Sequence, residues 1–140
     1  MIKHTVTRLI KKHGTNNPFE IASQRNIIVL FEELGDMLGY YNTYRRVQLI
    51  HINSNASEQE QRFTCAHELG HSILHPTLNT PFLRNKTLYS IDRIEREANL
   101  FAIELLMPDE LLHKESITTL REAALTYGVP EELIELKTLD

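Results

Sequence analysis

The stretch from Arg62 to His75, RFTCAHELGHSILH, constrains this chain more than any other. It holds His67-Glu68-Leu69-Gly70-His71, an H-E-x-x-H pattern inside a segment that reads as helix. Residues four apart on a helix share a face, one turn above the other. Two imidazoles so spaced can bind one metal ion, and Glu68 beside the first can reach a water on that metal. The pattern fixes only three positions, and the bland alternative is a pair of core histidines with Glu68 an exposed carboxylate. Context favours the metal. The motif lies mid-helix, and Gly70 sits in the helix interior, where glycine costs about 1 kcal/mol relative to alanine. Close approach of a strand or a substrate backbone is one reason to keep it.

The helix has clear ends. Ser57 followed by Glu60 is a capping box, and Pro76 disfavours helix in the residue before it, so the segment runs from about Ser57 to His75. His71 and His75 form a rival pair, but Ser72 stands where that pair needs a carboxylate. His75 lies two turns from His67, roughly 12 Å along the axis, too far to share one ion. It reads as a capping residue or one that supports a ligand.

The third ligand must come from elsewhere. The extended pattern H-E-x-x-H-x-x-G-x-x-H fails, because the chain has Leu74 and Thr77 where Gly and His are needed. A second long helix, about Ser90 to Met107 and halted by Pro108, carries the candidates. At 100° per residue, Ile91, Ile94, Ala98, Ala102 and Leu105 form its apolar face. Glu95 falls within or beside that face, whereas Glu97 falls on the far side with Arg93 and Glu104, among solvated charges. A carboxylate on a core-facing stripe needs a partner, either a metal or a neighbouring arginine. Glu95 is therefore the first candidate and Glu97 the second. Asn99, one turn beyond Glu95 on the same side, can orient a ligand histidine. Three protein ligands leave a fourth position for water, as in a catalytic zinc site, where Glu68 would take the proton as water attacks a peptide carbonyl. Nitrogen and carboxylate donors suit zinc.

The remaining chain supplies an ordinary frame. Ile2 to His13 has helical spacing closed by Gly14, and Asn17-Pro18 opens a short helix to about Arg25. Ile27 to Phe31 has the composition of a buried strand. A hairpin follows, with its loop near Asn42 to Arg46; its second strand puts Val47, Leu49 and His51 on one face and Gln48, Ile50 and Ile52 on the other. Thr77 to Lys86 reads as loop, and shorter helices occupy about Asp109 to His113 and Ser116 to Tyr127. Tyr40, Tyr41 and Tyr44 can line a substrate groove, though half-buried sheet positions are the commoner use of such residues. His51 reads as structural and Cys65 as core. The expected fold is α+β: a small, mostly antiparallel sheet packed on the two ligand-bearing helices, in a zincin-like arrangement. One domain over residues 1–140 is expected, with a short helical extension from about residue 109.

Composition excludes several classes. A net charge of −4 over 140 residues gives no electrostatic footprint for direct nucleic-acid binding. No apolar run approaches the roughly 20 residues that span a bilayer, and the N-terminus lacks the apolar core of a signal peptide. A lone cysteine gives no disulfide framework and points to a reducing compartment. The expected location is the cytoplasm.

RFTCAHELGHSILH followed by IEREANLFAIELLMP resembles the ImmA/IrrE family of small metallopeptidases, over about Gly39 to Pro108. Two separate motifs in the right order carry the likeness: Arg62-Phe63-Thr64 leading into H-E-x-x-H, then Glu95-x-x-Ala98-Asn99-x-Phe101-Ala102 with the ending Leu105-Leu106-Met107-Pro108. The resemblance implies a zinc peptidase with a thermolysin-like ligand set on His67, His71 and Glu95, and Glu68 as general base. Asn99 stands where that pattern has aspartate, which leaves an uncharged partner for a ligand histidine. Family members on phages and mobile elements cleave a helix-turn-helix repressor encoded nearby, so the implied role is an anti-repressor protease. The rival reading is a non-cleaving, metal-containing module that sequesters a repressor or a toxin or antitoxin partner.

Overall fold

The computed structural model describes residues 1–78, 81–83, 87, 92–114 and 119–137. Helix α1 (Ile2–His13) ends at Gly14, whose φ of 72° lets its N–H reach back to the Ile10 carbonyl. Helix α2 (Pro18–Gln24) starts on Asn17, whose side chain accepts from the Phe19 N–H. Strands β1 (Ile28–Glu32), β2 (Met37–Tyr44) and β3 (Val47–Asn53) follow, then helix α3 (Glu58–Leu74). The two-residue strand β4 (Phe82–Leu83) precedes helix α4 (Arg93–Leu106), and α5 (Asp109–Lys114), α6 (Leu120–Tyr127) and a 3-10 turn (Glu131–Leu136) complete the order.

The protein is α+β, with a four-stranded sheet in the order β1-β3-β2-β4. β2 pairs antiparallel with both β3 and β4, while β1 runs parallel to β3. Helix α3 packs on β2 and β3 and, most extensively, on α4, which also meets α1. Ile50 and Ile52, on the helix-facing side of β3, are fully buried against this layer. Period-2 alternation turns His51 to the opposite face, where it bonds Glu32 and Asn42 and stacks on Tyr40 with ring centroids 4.0 Å apart.

Several expectations change. Ile28, Leu30 and Phe31 are 46%, 38% and 52% exposed, so β1 is an edge strand and not a buried one. Its apolar run reflects β-propensity, which is shared by buried and edge strands. The hairpin is tighter than predicted: Asn42 to Tyr44 remain paired with β3, and only Arg45 and Arg46 turn, with φ of 50° and 70°. The guanidinium of Arg45 lies 5.3 Å from the centroid of the Tyr44 ring, which helps hold this unusual turn. β4 appears inside the predicted 77–86 loop, of which residues 79–80 and 84–86 lie outside the described residues. The predicted starts at Ser90 and Ser116 also lie outside them; Asp92 caps α4 and Thr119 caps α6. Tyr41 is core, donating to the Pro76 carbonyl and accepting from Gln48, and Tyr44 is exposed at the hairpin end.

Glu104 is a further correction. Helical position placed it among solvated charges, yet it is 3% exposed and accepts from Lys137 Nζ at 2.7 Å. The same ammonium reaches Asp109 at 2.6 Å, and Lys3 reaches Asp109 at 2.9 Å. The chain from the 3-10 turn covers what a helical wheel of α4 alone shows as an outer face.

Candidate metal centre

The capping box forms as read: the Ser57 side chain accepts from the Glu60 N–H, and the Glu60 carboxylate accepts from the Ser57 N–H. From that start the helix carries His67, Glu68 and His71 into the seam with α4, where all three are buried. Gly70 makes the seam possible. A Cβ there would lie 3.0 Å from two ring carbons of Phe101 and 3.1 Å from its Cβ, so α4 approaches where α3 has no side chain. The close neighbour is a helix, not the strand or substrate backbone expected from sequence. Gly39 plays the same part on β2, where a Cβ would meet the His51 carbonyl and come within 2.6 Å of Thr64 Cγ2.

His67, His71 and Glu95 each offer a donor atom within 4.8 Å of the others, and all three residues are buried. His67 Nε2 and His71 Nε2 lie 3.0 and 2.8 Å from the same oxygen, Glu95 Oε1. Behind them, His67 Nδ1 is 2.9 Å from Asn99 Oδ1, and His71 Nδ1 is 3.0 Å from His75 Nδ1. The Asn99 amide donates to the Thr87 carbonyl at 3.4 Å, which turns its oxygen towards His67. The His67 ring rests on Phe82 at a centroid distance of 4.5 Å, with Phe63 at 6.4 Å. Glu97, the second candidate ligand, stands outside this cluster; it bonds His75 and faces Arg93.

These donors fit a metal ion. Burial outweighs the neighbouring carboxylate and holds the His67 imidazolium below its usual range, so the ring is neutral with one proton. A neutral ring has one proton for two acceptors, Asn99 Oδ1 at 2.9 Å and Glu95 Oε1 at 3.0 Å, so one of the two contacts lacks a hydrogen. A cation on the Glu95 side resolves that deficit. Burial raises the Glu95 carboxyl, but the two imidazoles beside it outweigh burial and keep it below the ordinary carboxylate range. Glu95 is thus the anionic member of the set.

Glu68 is fully buried, and among the described residues neither carboxylate oxygen has a hydrogen-bond partner. Burial first, and then the negative charge of Glu95, hold its carboxyl well above the usual range. An orphaned carboxylate of this kind is costly in a folded core. Groups perturbed in this way cluster at functional sites. Cys65 is buried and burial pushes its thiol up, as befits an inert core residue.

A donor set of two histidines and a carboxylate is one that can hold a metal ion. Comparison supplies the class, metallopeptidase, and the family: the chain belongs to the IrrE N-terminal-like domain family of peptidases (peptidase M78), whose model matches residues 22–138. The match reaches well beyond the stretch in which the two sequence motifs lie. The Uncharacterized immunity region protein 2 of Bacillus phage phi105 is 48% identical over 142 positions, covering 99% of this chain and 90% of that protein. The Metallopeptidase ImmA of Bacillus subtilis (strain 168) is 43% identical over 115 positions, covering 81% of this chain and 67% of that protein.

Proposed function

We propose that this chain is a zinc-dependent endopeptidase that cuts a protein substrate, a helix-turn-helix repressor of a phage or mobile element. One observation carries the catalytic part: the buried, unpartnered carboxylate of Glu68 beside the His67, His71 and Glu95 donors. In this reading those three hold the metal, and Asn99 orients His67. Zinc, when bound there, supplies Lewis acidity that polarises water and the peptide carbonyl. Glu68 takes a proton from the attacking water as the new C–O bond forms, then delivers it to the departing amine nitrogen as the C–N bond breaks. Its raised proton affinity suits both halves of that transfer. Phe63 and Phe82 shield His67 from bulk water, which strengthens the local electrostatics.

The substrate class rests on the family resemblance of the two sequence motifs, and the likeness to a protein named for a phage immunity region is in keeping with it. The lone buried Cys65 fits work in a reducing cytoplasm, and among the described residues no helix is long and apolar enough to cross a membrane. We also take residues 1–140 to act as one peptidase unit, because the buried apolar residues of α1, the sheet, α3, α4 and the C-terminal turns form one cluster.

The test is incubation with the repressor encoded beside the gene, with added zinc, with chelator, and with Glu68→Gln. Zinc-dependent cleavage that vanishes in Glu68→Gln, while zinc and repressor binding persist, is the expected result. Stable binding with no cut by the zinc-loaded wild type would move the assignment to a sequestering module.

A further inference from the structure

We infer that His75 and Glu97 form a two-residue relay that sets the tautomer of His71, so that its Nε2 is bare and directed at the metal position. The inference rests on the metallopeptidase reading above and deepens it. His75 leaves the helix as the C-cap of α3, with φ −138° and ψ 58° and its N–H still bonded to the His71 carbonyl at 2.8 Å. That departure swings its ring round to meet His71. The two Nδ1 atoms lie 3.0 Å apart, and His75 Nε2 lies 2.7 Å from Glu97 Oε1.

On the metallopeptidase reading, donors and acceptors are counted outward from the metal. A His71 that binds through Nε2, the atom that faces Glu95, carries its hydrogen on Nδ1. The Nδ1–Nδ1 contact then makes His75 Nδ1 the acceptor, and the hydrogen of that ring belongs on Nε2. The Glu97 carboxylate can only accept and lies beside His75 Nε2, so it favours the one tautomer that leaves His75 Nδ1 free to accept. One carboxylate, two rings away, thus decides which nitrogen of His71 is free to bind. Glu97 is partly exposed at 34% and lies on α4, so the relay also ties the tautomer to the docking of α4 on α3.

The two ligand histidines are therefore supported differently. His67 leans on a neutral amide held by the Thr87 carbonyl, and His71 on an imidazole backed by a carboxylate. Loss of Glu97 should act on His71 alone. His75 and Glu97 are positioning residues, since neither touches the donor cluster's shared oxygen.

The experiment is a competition titration of zinc into wild type, Glu97→Gln, Glu97→Leu and His75→Phe, with two-bond proton–nitrogen spectra of the histidine rings. The wild type should bind one zinc and show His71 protonated on Nδ1 and His75 on Nε2. Glu97→Leu and His75→Phe should bind zinc roughly 10- to 100-fold more weakly, with disturbed His71 signals and unchanged His67 signals. Glu97→Gln, which retains an acceptor oxygen, should recover most of the affinity and the wild-type tautomers. Zinc binding by both Glu97→Leu and His75→Phe as tight as wild type, with His71 signals unmoved, would overturn the relay while leaving the metal centre standing. Failure of the wild type itself to bind zinc would overturn the metallopeptidase reading and the relay with it.

Discussion

Gly70→Ala should destabilise the protein, although alanine is the better helix former. Propensity alone favours the substitution by about 1 kcal/mol. Against it stands the Phe101 side chain, with two ring carbons 3.0 Å and the Cβ 3.1 Å from the new methyl. Ordinary carbon contacts lie near 3.5–4.0 Å, so something must retreat by about half an ångström. Phe101 is fully buried, and its Cβ is fixed to the α4 backbone, so rotating the ring cannot relieve the clash. Overpacking of this kind costs about 1–3 kcal/mol, which leaves a net loss of about 1 kcal/mol. For a chain of this size that lowers Tm by about 4 °C. The measurement is urea and thermal unfolding in chelator, so that metal binding does not enter the stability. Because relief requires α4 to move from α3, zinc affinity should fall too, as Glu95 is carried away from His67 and His71. Adding Phe101→Leu makes room, and the double variant should be less damaged than the two singles summed, with a coupling of about 1 kcal/mol. A Gly70→Ala protein as stable as wild type, with additive behaviour in the cycle, would refute the close-approach argument.

Three further outcomes are expected. Lys137→Met removes the ammonium between Glu104 and Asp109 and leaves Glu104 buried and unpaired; urea unfolding should show a loss of about 3–5 kcal/mol, and Glu104→Gln in the same background should recover part of it. Burial raises the Asp109 carboxyl, but hydrogen bonds from Lys137 and Lys3 outweigh it and hold it at about 2. A folded value below the unfolded one, near 3.9 for aspartate, gives stability that is full above about pH 4 and lost as pH falls through 2. The gap between wild type and Asp109→Asn, about 1 kcal/mol after allowance for solvent screening, should therefore close over that window in acid unfolding curves. Asn99→Ala removes the acceptor behind His67 and should weaken zinc roughly 10- to 100-fold in a competition titration; equal affinity would show that Phe63 and Phe82 hold the ring without it.

Where sequence reading worked, it worked on local rules. The capping box, the left-handed glycine after α1, the Asn17 cap and the spacing of His67 and His71 are all set by residues within a turn or two of each other. The pairing of Glu95 with those histidines was legible as well, because a carboxylate on an apolar helical stripe needs a partner. Two of the misreadings share one cause, cover by distant parts of the chain. Whether Ile28 to Phe31 is covered depends on which side of β3 it joins, and Glu104 is buried only because residues 131–137 return to cover it. The 77–86 segment looked loop-like because a two-residue strand has no period to read.

The sequence by itself determined that a helix would present two imidazoles and a carboxylate on one side, and that a second helix would carry a further carboxylate towards the core. Periodicity suffices for that, since side-chain direction follows position on a helix. Only the tertiary structure decided which nitrogens face the centre. Asn99 and Glu97 come from α4, His75 from the end of α3 and Thr87 from between them in sequence, and a ring's tautomer is set by the partner brought to its other nitrogen. The same holds for Glu68: its place in the motif gives the carboxylate, but its burial without a partner, and hence its raised proton affinity, comes from the packing around it.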